Sequence, residues 1–244
     1  MVDVPALVLL HGFTNSGASW QPVISGLGQR YRALAPDIRG HASASGADPV
    51  TLEAVLGDIG ELTAGDFTLV GYSQGGRIAL HAALAMPERV SRLVLIGASP
   101  GLSDETQRTA RRLADERLAE RIESMTIEDF AREWARTPVL ADIASDVAEV
   151  SHRNRLENTT AGLAAALRGL GTGALPPLWD RLGELRMPVT LIAGERDTKF
   201  SAVAREMAAL IPIATVTIVS GAGHAVHLER PDAIIEVLLG VPVD

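Results

Sequence analysis

Short apolar runs alternate with helical patterns along most of this chain. Ala6–Leu10 is apolar throughout, and Tyr31–Pro36, Asp66–Val70, Arg92–Ile96, Val189–Ala193 and Thr215–Val219 repeat the theme less completely. Runs this short, rich in Val, Leu and Ile, predict strands. Between them, Trp20–Leu27, Leu52–Leu62, Gly75–Met86, Ser201–Leu210 and Asp232–Leu239 predict helices. Strands apolar on both sides must be covered on both faces. With helices between them, they predict a mostly parallel sheet with helices on both faces, an α/β architecture.

The rhythm breaks between Gly101 and Arg186, where no strand is evident. Residues 1–100 and 187–244 are therefore expected to form one core, and residues 101–186 a helical cap. Within the cap, Thr126-Ile127-Glu128-Asp129 fits a capping box that opens a helix, with Pro138 just past its end. Pro176-Pro177 punctuates the later part.

One string adds chemistry. Gly71-Tyr72-Ser73-Gln74-Gly75 reads G-x-S-x-G and stands between a predicted strand and a predicted helix. In that context it is a nucleophile elbow, a sharp turn that lifts a serine hydroxyl above a parallel sheet. The fold expected from it is the α/β-hydrolase fold with a helical cap insertion.

A serine hydroxyl needs an imidazole to take its proton, and the imidazole needs a carboxylate to hold its tautomer. In this fold the chain order is Ser, acid, His. Gly194-Glu195-Arg196-Asp197 follows one late strand and Gly221-Ala222-Gly223-His224 the next. Asp197 and His224 are the expected partners of Ser73, at the carboxyl edge where ligands bind in open α/β sheets. Glu195 is the rival acid, and His227 the rival base. His11 reads as structural, and His41, His81 and His152 as ordinary polar residues without metal-ligand spacing. An oxyanion hole needs two backbone N–H groups. Gln74 and Phe13, the latter in the loop after the first strand, are the candidates.

Three arginines stand out. Arg77 lies one helical turn after Ser73. Arg111 shares a helical stripe with Ala114, Leu118, Ile122 and Met125. Arg155 shares a face with Thr159, Gly162 and Ala166. Each is either an anion-binding group facing a pocket or a long side chain reaching solvent.

Composition narrows the partners. The 244-residue chain carries a formal charge of -8 and no cysteine. The negative charge argues against general nucleic-acid binding, and the missing cysteines exclude disulfides and thiolate metal sites. No long apolar segment or basic leader is evident, so a cytoplasmic protein with no membrane association is expected. Oligomeric state stays open.

The motifs together resemble the 2-succinyl-6-hydroxy-2,4-cyclohexadiene-1-carboxylate synthase (MenH-type) family of the α/β-hydrolase superfamily. They are Leu10-His11-Gly12-Phe13, Gly71 to Arg77, Ser99-Pro100-Gly101-Leu102 before an Arg-rich helix, Trp134 with Pro138, Arg155 ahead of Gly162-Leu163, Gly194 to Phe200, and Gly221 to His224. The resemblance implies a cofactor-free, metal-free elimination of pyruvate from 2-succinyl-5-enolpyruvyl-6-hydroxy-3-cyclohexene-1-carboxylate, a small anionic substrate of menaquinone biosynthesis. It implies that Arg77, Arg111 and Arg155 clamp carboxylates, and that Tyr72, Trp134 and Lys199 border the pocket. It also implies that Ser73 acts as a base rather than an acyl-forming nucleophile. A carboxylesterase or carbon–carbon bond hydrolase on the same scaffold is the alternative. The chain departs from the family at Ala42, where relatives usually carry glycine after the histidine.

Overall fold

The computed structural model describes residues 4–137 and 145–241. Pro138 lies outside them. Six strands form one sheet in the order β2-β1-β3-β4-β5-β6, and every pairing is parallel. They are β1 (Ala6–Leu10), β2 (Arg32–Leu34), β3 (Phe67–Tyr72), β4 (Val90–Ile96), β5 (Val189–Gly194) and β6 (Ala214–Val219). Strands β1, β3 and β5 are buried along their whole length, which is why their sequences run apolar without alternation. β2 is shorter than the sequence pattern suggests. It lies at the sheet edge with one neighbour, and its pairing ends at Leu34.

Side-chain alternation sends each strand into two cores. Val8, Leu10, Leu69, Leu93 and Leu191 pack on one face, against α2 (Leu52–Glu61), α3 (Gln74–Ala85) and α8 (Thr198–Ala208). Leu7, Leu9, Val70, Val94 and Ile192 pack on the other, against α1 (Gln21–Leu27), α9 (Val226–Glu229) and α10 (Pro231–Leu239). Each fully buried aliphatic side chain contributes about 1.5–3 kcal/mol of transfer free energy. The chain belongs to the α/β class with an α/β-hydrolase sheet, as the elbow context predicts.

Among the described residues between β4 and β5 are four α-helices, α4 (Glu105–Glu123), α5 (Ile127–Trp134), α6 (Ser145–Leu156) and α7 (Thr160–Leu170), and a short 3-10 helix (Trp179–Glu184). Three start on side-chain caps. Asp104 accepts from Gln107 N–H, Thr126 from Asp129 N–H and Thr159 from Gly162 N–H. Ala119, Ile122, Phe130, Leu163 and Leu167 give this insert its own small core, and Phe13 of the β1 loop packs against it.

The end of α6 is tied to the sheet's upper loops by polar contacts. Ser16 Oγ lies 2.8 Å from Asn154 Oδ1 and 2.7 Å from Glu157 Oε2. Asn158 donates to Thr14 O at 3.0 Å and accepts from Ala42 N–H at 3.1 Å. Ala42 itself has φ 37, a left-handed conformation that suits glycine. The departure noted in the sequence thus puts an alanine where the backbone favours the relatives' residue.

Candidate active site

Ser73 sits where β3 ends and α3 begins, with φ 50 and ψ -109. This is a sparsely populated region for a residue with a side chain, and its cost is about 1–3 kcal/mol. The surroundings enforce it: Ser73 N–H donates to Ile96 O at 2.9 Å, and Arg77 N–H donates to Ser73 O at 3.1 Å. The turn projects Ser73 Oγ to 3.2 Å from His224 Nε2. His224 Nδ1 lies 2.6 Å from Asp197 Oδ2. With its proton on Nδ1, His224 donates to Asp197 and accepts from the Ser73 hydroxyl.

Asp197 does a second job. Its Oδ1 accepts from Phe200 N–H at 3.2 Å and caps α8. The cap fixes the carboxylate and also starts α8 at Thr198, three residues before the position suggested by its apolar pattern. The rival acid Glu195 turns away. It accepts from Gly221 N–H at 2.9 Å, and that backbone contact is the main cause that lowers its pKa.

Two residues that shape this machinery are not evident from the sequence. Gly97 (φ 54) follows β4, and a Cβ there would come 2.9 Å from His224 Cε1. Glu229 Oε2 accepts from Gly223 N–H at 2.9 Å and from Arg196 at 2.6 Å. It therefore joins the loops that carry His224 and Asp197. Its signal was a Glu five residues after the histidine, which has no meaning until the two loops are neighbours in space.

His227, the rival base, is buried between Tyr72 and Trp20, with ring centroids at 4.2 and 4.7 Å. Neither of its ring nitrogens has a partner among the described residues. His11 Nε2 accepts from Ile38 N–H at 2.9 Å, the structural role expected of it. His41 is no ordinary polar residue: it is fully buried, edge-on to His11 and Phe13.

Burial pushes His11 down to about 4, and His41 and His227 to about 3, from 6.5. All three are neutral in the fold, whereas the unfolded chain protonates them below pH 6.5. Between those values the unfolded state binds more protons, so stability falls as pH falls. The slope reaches about 1.4 kcal/mol per pH unit for each ring. Urea midpoints measured from about pH 7 to pH 5 are expected to drop steeply. A flat profile would mean that these rings ionise within the fold.

Two connected hollows meet at Ser73 and His224. Phe13 and Trp134 line both, in edge-to-face contact at 5.2 Å. The larger, of about 450 Å³, is lined by Gln74, Arg77, Arg111 and Lys199 together with apolar walls such as Leu102 and Trp179. The smaller, of about 70 Å³, is lined by Tyr72, Arg155, Ser151 and Asn15. Phe13 lines both hollows, and Gln74, the residue after Ser73, lines the larger. Burial raises the Tyr72 pKa and keeps the phenol protonated.

Arg77 lines the hollow at Ser73 from the elbow helix, whereas Arg111 and Arg155 reach the cavities by routes other than those the sequence suggests. Arg77 Nε is shut off from solvent and has no partner among the described residues, and burial, followed by repulsion from Arg111, pushes its pKa down to about 10. Arg111 is not inside a buried stripe. The buried line of α4 is Asp115, Ala119 and Ile122, Ala114 is exposed, and the Arg111 side chain is 46% exposed. Leu118, Ile122 and Met125 of the expected stripe do pack on the insert's core, but the fully buried line is turned toward Asp115 and Ala119, which leaves Arg111 at its edge. Arg155 is buried at the end of α6, while Thr159 caps α7, so the proposed shared face does not exist. The helix break at 157–159 resets the periodicity. Desolvation lowers the Arg155 pKa, and its Nε also lacks a partner.

Among the described residues, no group of three or more His, Asp or Glu side chains is gathered as metal ligands, and no helix is long and apolar enough to cross a membrane.

Residues 7–237 match the Alpha/beta hydrolase family. A Salmonella newport (strain SL254) protein named 2-succinyl-6-hydroxy-2,4-cyclohexadiene-1-carboxylate synthase is 36% identical over 245 residues, covering 96% of this chain and 92% of that protein. A Bacillus subtilis (strain 168) protein, given the same synthase name provisionally, is 39% identical over 236 residues, covering 93% and 86%. The solved structure of MenH from S. aureus superposes with a TM-score of 0.93 at 30% identity, covering 98% of this chain and 94% of that one.

Proposed function

We propose, from the premise that this chain belongs to the alpha/beta hydrolase family, that it is a 2-succinyl-6-hydroxy-2,4-cyclohexadiene-1-carboxylate synthase. It eliminates pyruvate from 2-succinyl-5-enolpyruvyl-6-hydroxy-3-cyclohexene-1-carboxylate. The observation that carries this reading is a pair of guanidinium groups, half-buried Arg77 and buried Arg155, whose Nε atoms are shut off from solvent with no partner among the described residues and which face hollows meeting at Ser73. A guanidinium N–H kept from both water and a partner is costly, so a site that retains two suits an anionic guest.

In this reading His224, oriented by Asp197, takes the Ser73 proton as Ser73 Oγ removes a proton from the substrate ring. The electrons of the broken C–H bond form a new C=C bond, and the C–O bond to the enolpyruvyl group breaks. The departing enolate takes up a proton at carbon, balancing the one passed to Ser73 and His224, and becomes pyruvate. Phe13 and Gln74 N–H groups hold the negative charge that develops in between. Arg77, Arg111 and Arg155 orient the carboxylates, with Tyr72, Trp134 and Lys199 completing the walls. The helical insert, residues 101–186, acts as the cap over this site.

A carboxylesterase or carbon–carbon bond hydrolase would use the same triad, but has no need of unpaired buried cations. Steady-state release of pyruvate from the tricarboxylate, run beside a panel of nitrophenyl esters, separates the readings. Efficient pyruvate release with weak ester turnover is expected. Rapid ester turnover without pyruvate would overturn the assignment.

A further inference from the structure

Asp115 is a buried carboxylate with no part in the scheme above. It projects from the buried line of α4, and its side chain is only 5% exposed. Its Oδ1 accepts from Arg111 Nε at 2.7 Å. Its Oδ2 is buried and takes no partner among the described residues. A Cβ at residue 171 would come 2.8 Å from that oxygen, so Gly171 leaves the carboxylate its room.

A carboxylate half used by the protein is expensive in so dry a place. Its position explains what the cost achieves. Arg77 and Arg111 line the same hollow, repel each other, and are both attracted to Asp115. Arg112 and Arg168 border a separate hollow that Asp115 also lines. Arg168 is held by Glu116 and Glu123, and Arg112 donates to Gly173 O at 3.3 Å. Lys199 lines the hollow of Arg77 and Arg111 from α8 but is exposed to solvent, which screens its charge. Of the two guanidinium charges that Asp115 attracts, its own charge offsets one, leaving one for a guest.

We propose that Asp115 determines the anion specificity of this lobe: by pairing with Arg111 it cancels one of two guanidinium charges, fitting the lobe to a single carboxylate instead of a doubly charged oxyanion. The geometry serves the same end. Nε of Arg111 is tied back to Asp115, which leaves the outer edge of the guanidinium for the guest. That edge presents parallel N–H groups suited to the two oxygens of a carboxylate. Asp115 is thus a positioning residue, acting on the ligand through Arg111. The proposal rests on the reading of Arg77 and Arg111 as an anion site.

Asp115→Asn tests it, because the amide keeps an oxygen for Arg111 and removes only the charge. Affinities for sulfate alone and formate alone, at constant ionic strength, are read from the rise in unfolding temperature with anion concentration. In the variant, the preference for sulfate over formate is expected to rise about tenfold or more, since one unit charge at a few ångström is worth that much near a protein surface. Asp115→Ser, also neutral and smaller, gives the same comparison if the amide does not fold. The rise is expected to vanish when Arg77→Met is added. A preference within about twofold of the unchanged protein, or a rise that survives Arg77→Met, overturns the proposal. A structural role alone would lower the unfolding temperature without changing the ratio. Pyruvate release by the unchanged protein is measured in parallel. Its absence would overturn the function, while its presence with an unchanged ratio would overturn only the role of Asp115.

Discussion

Replacing Ser73 with alanine is expected to lower kcat for pyruvate release by about 10³-fold, because the proton relay loses the group that meets the substrate. The effect should fall on kcat rather than KM. The arginines that hold the ground state are untouched, whereas Ser73 Oγ, 3.2 Å from His224 Nε2, is needed only as the C–H bond breaks. The fold should survive. Alanine keeps the Ser73 backbone bonds to Ile96 and Arg77, and Asp197 continues to hold His224 at 2.6 Å. The measurements are steady-state kinetics and a thermal melt on the same preparation. A kcat within tenfold of the unchanged enzyme, at equal melting temperature, would remove Ser73 from the mechanism and shift the chemistry to His224 alone.

Arg77→Met is expected to move activity and stability in opposite directions. A charge-assisted contact to a substrate carboxylate is worth about 1.5–3 kcal/mol, so kcat/KM should fall about 10- to 150-fold. Stability should rise by about 1–2 kcal/mol, because a guanidinium with a buried, unpartnered Nε gives way to an apolar chain of similar length. The depressed pKa of about 10 reflects the same penalty, dominated by desolvation. Kinetics and urea denaturation of one variant check both halves. Lost stability with full activity would mean that Arg77 is a structural residue whose partner is the protein itself.

Much of this molecule is legible in one dimension because its signals are local. A strand buried on both faces is an unbroken apolar run whatever surrounds it, and β1, β3, β4 and β5 fall where such runs occur. The elbow is equally local, since a strand, a G-x-S-x-G turn and a helix are adjacent in the chain. Asp197 and His224 could be nominated because each ends a strand in the order this fold requires.

Helical faces were less legible. The buried line of α4 is turned from the expected stripe toward Asp115 and Ala119, and only the contact with α7 decides that Asp115 is covered while Arg111, one turn away, stays at the edge. Arg155 was placed on a face continuous with Thr159 because nothing in the residue pattern announced the break between α6 and α7. Gly97 and Glu229 carry no meaning in one dimension, because they act on loops brought near only by folding. Asp115 pairs with Arg111 one turn away, but its burial against α7 exists only after the chain has closed.

The amino-acid order alone determined the sheet, the turn that lifts Ser73, and the identity of its two partners, since each depends on neighbours within a few positions. Tertiary packing decided which charges are buried and what they face. Burial and electrostatic balance belong to surfaces brought together by folding, and the energy of a charge depends on that environment more than on the residues beside it in the chain.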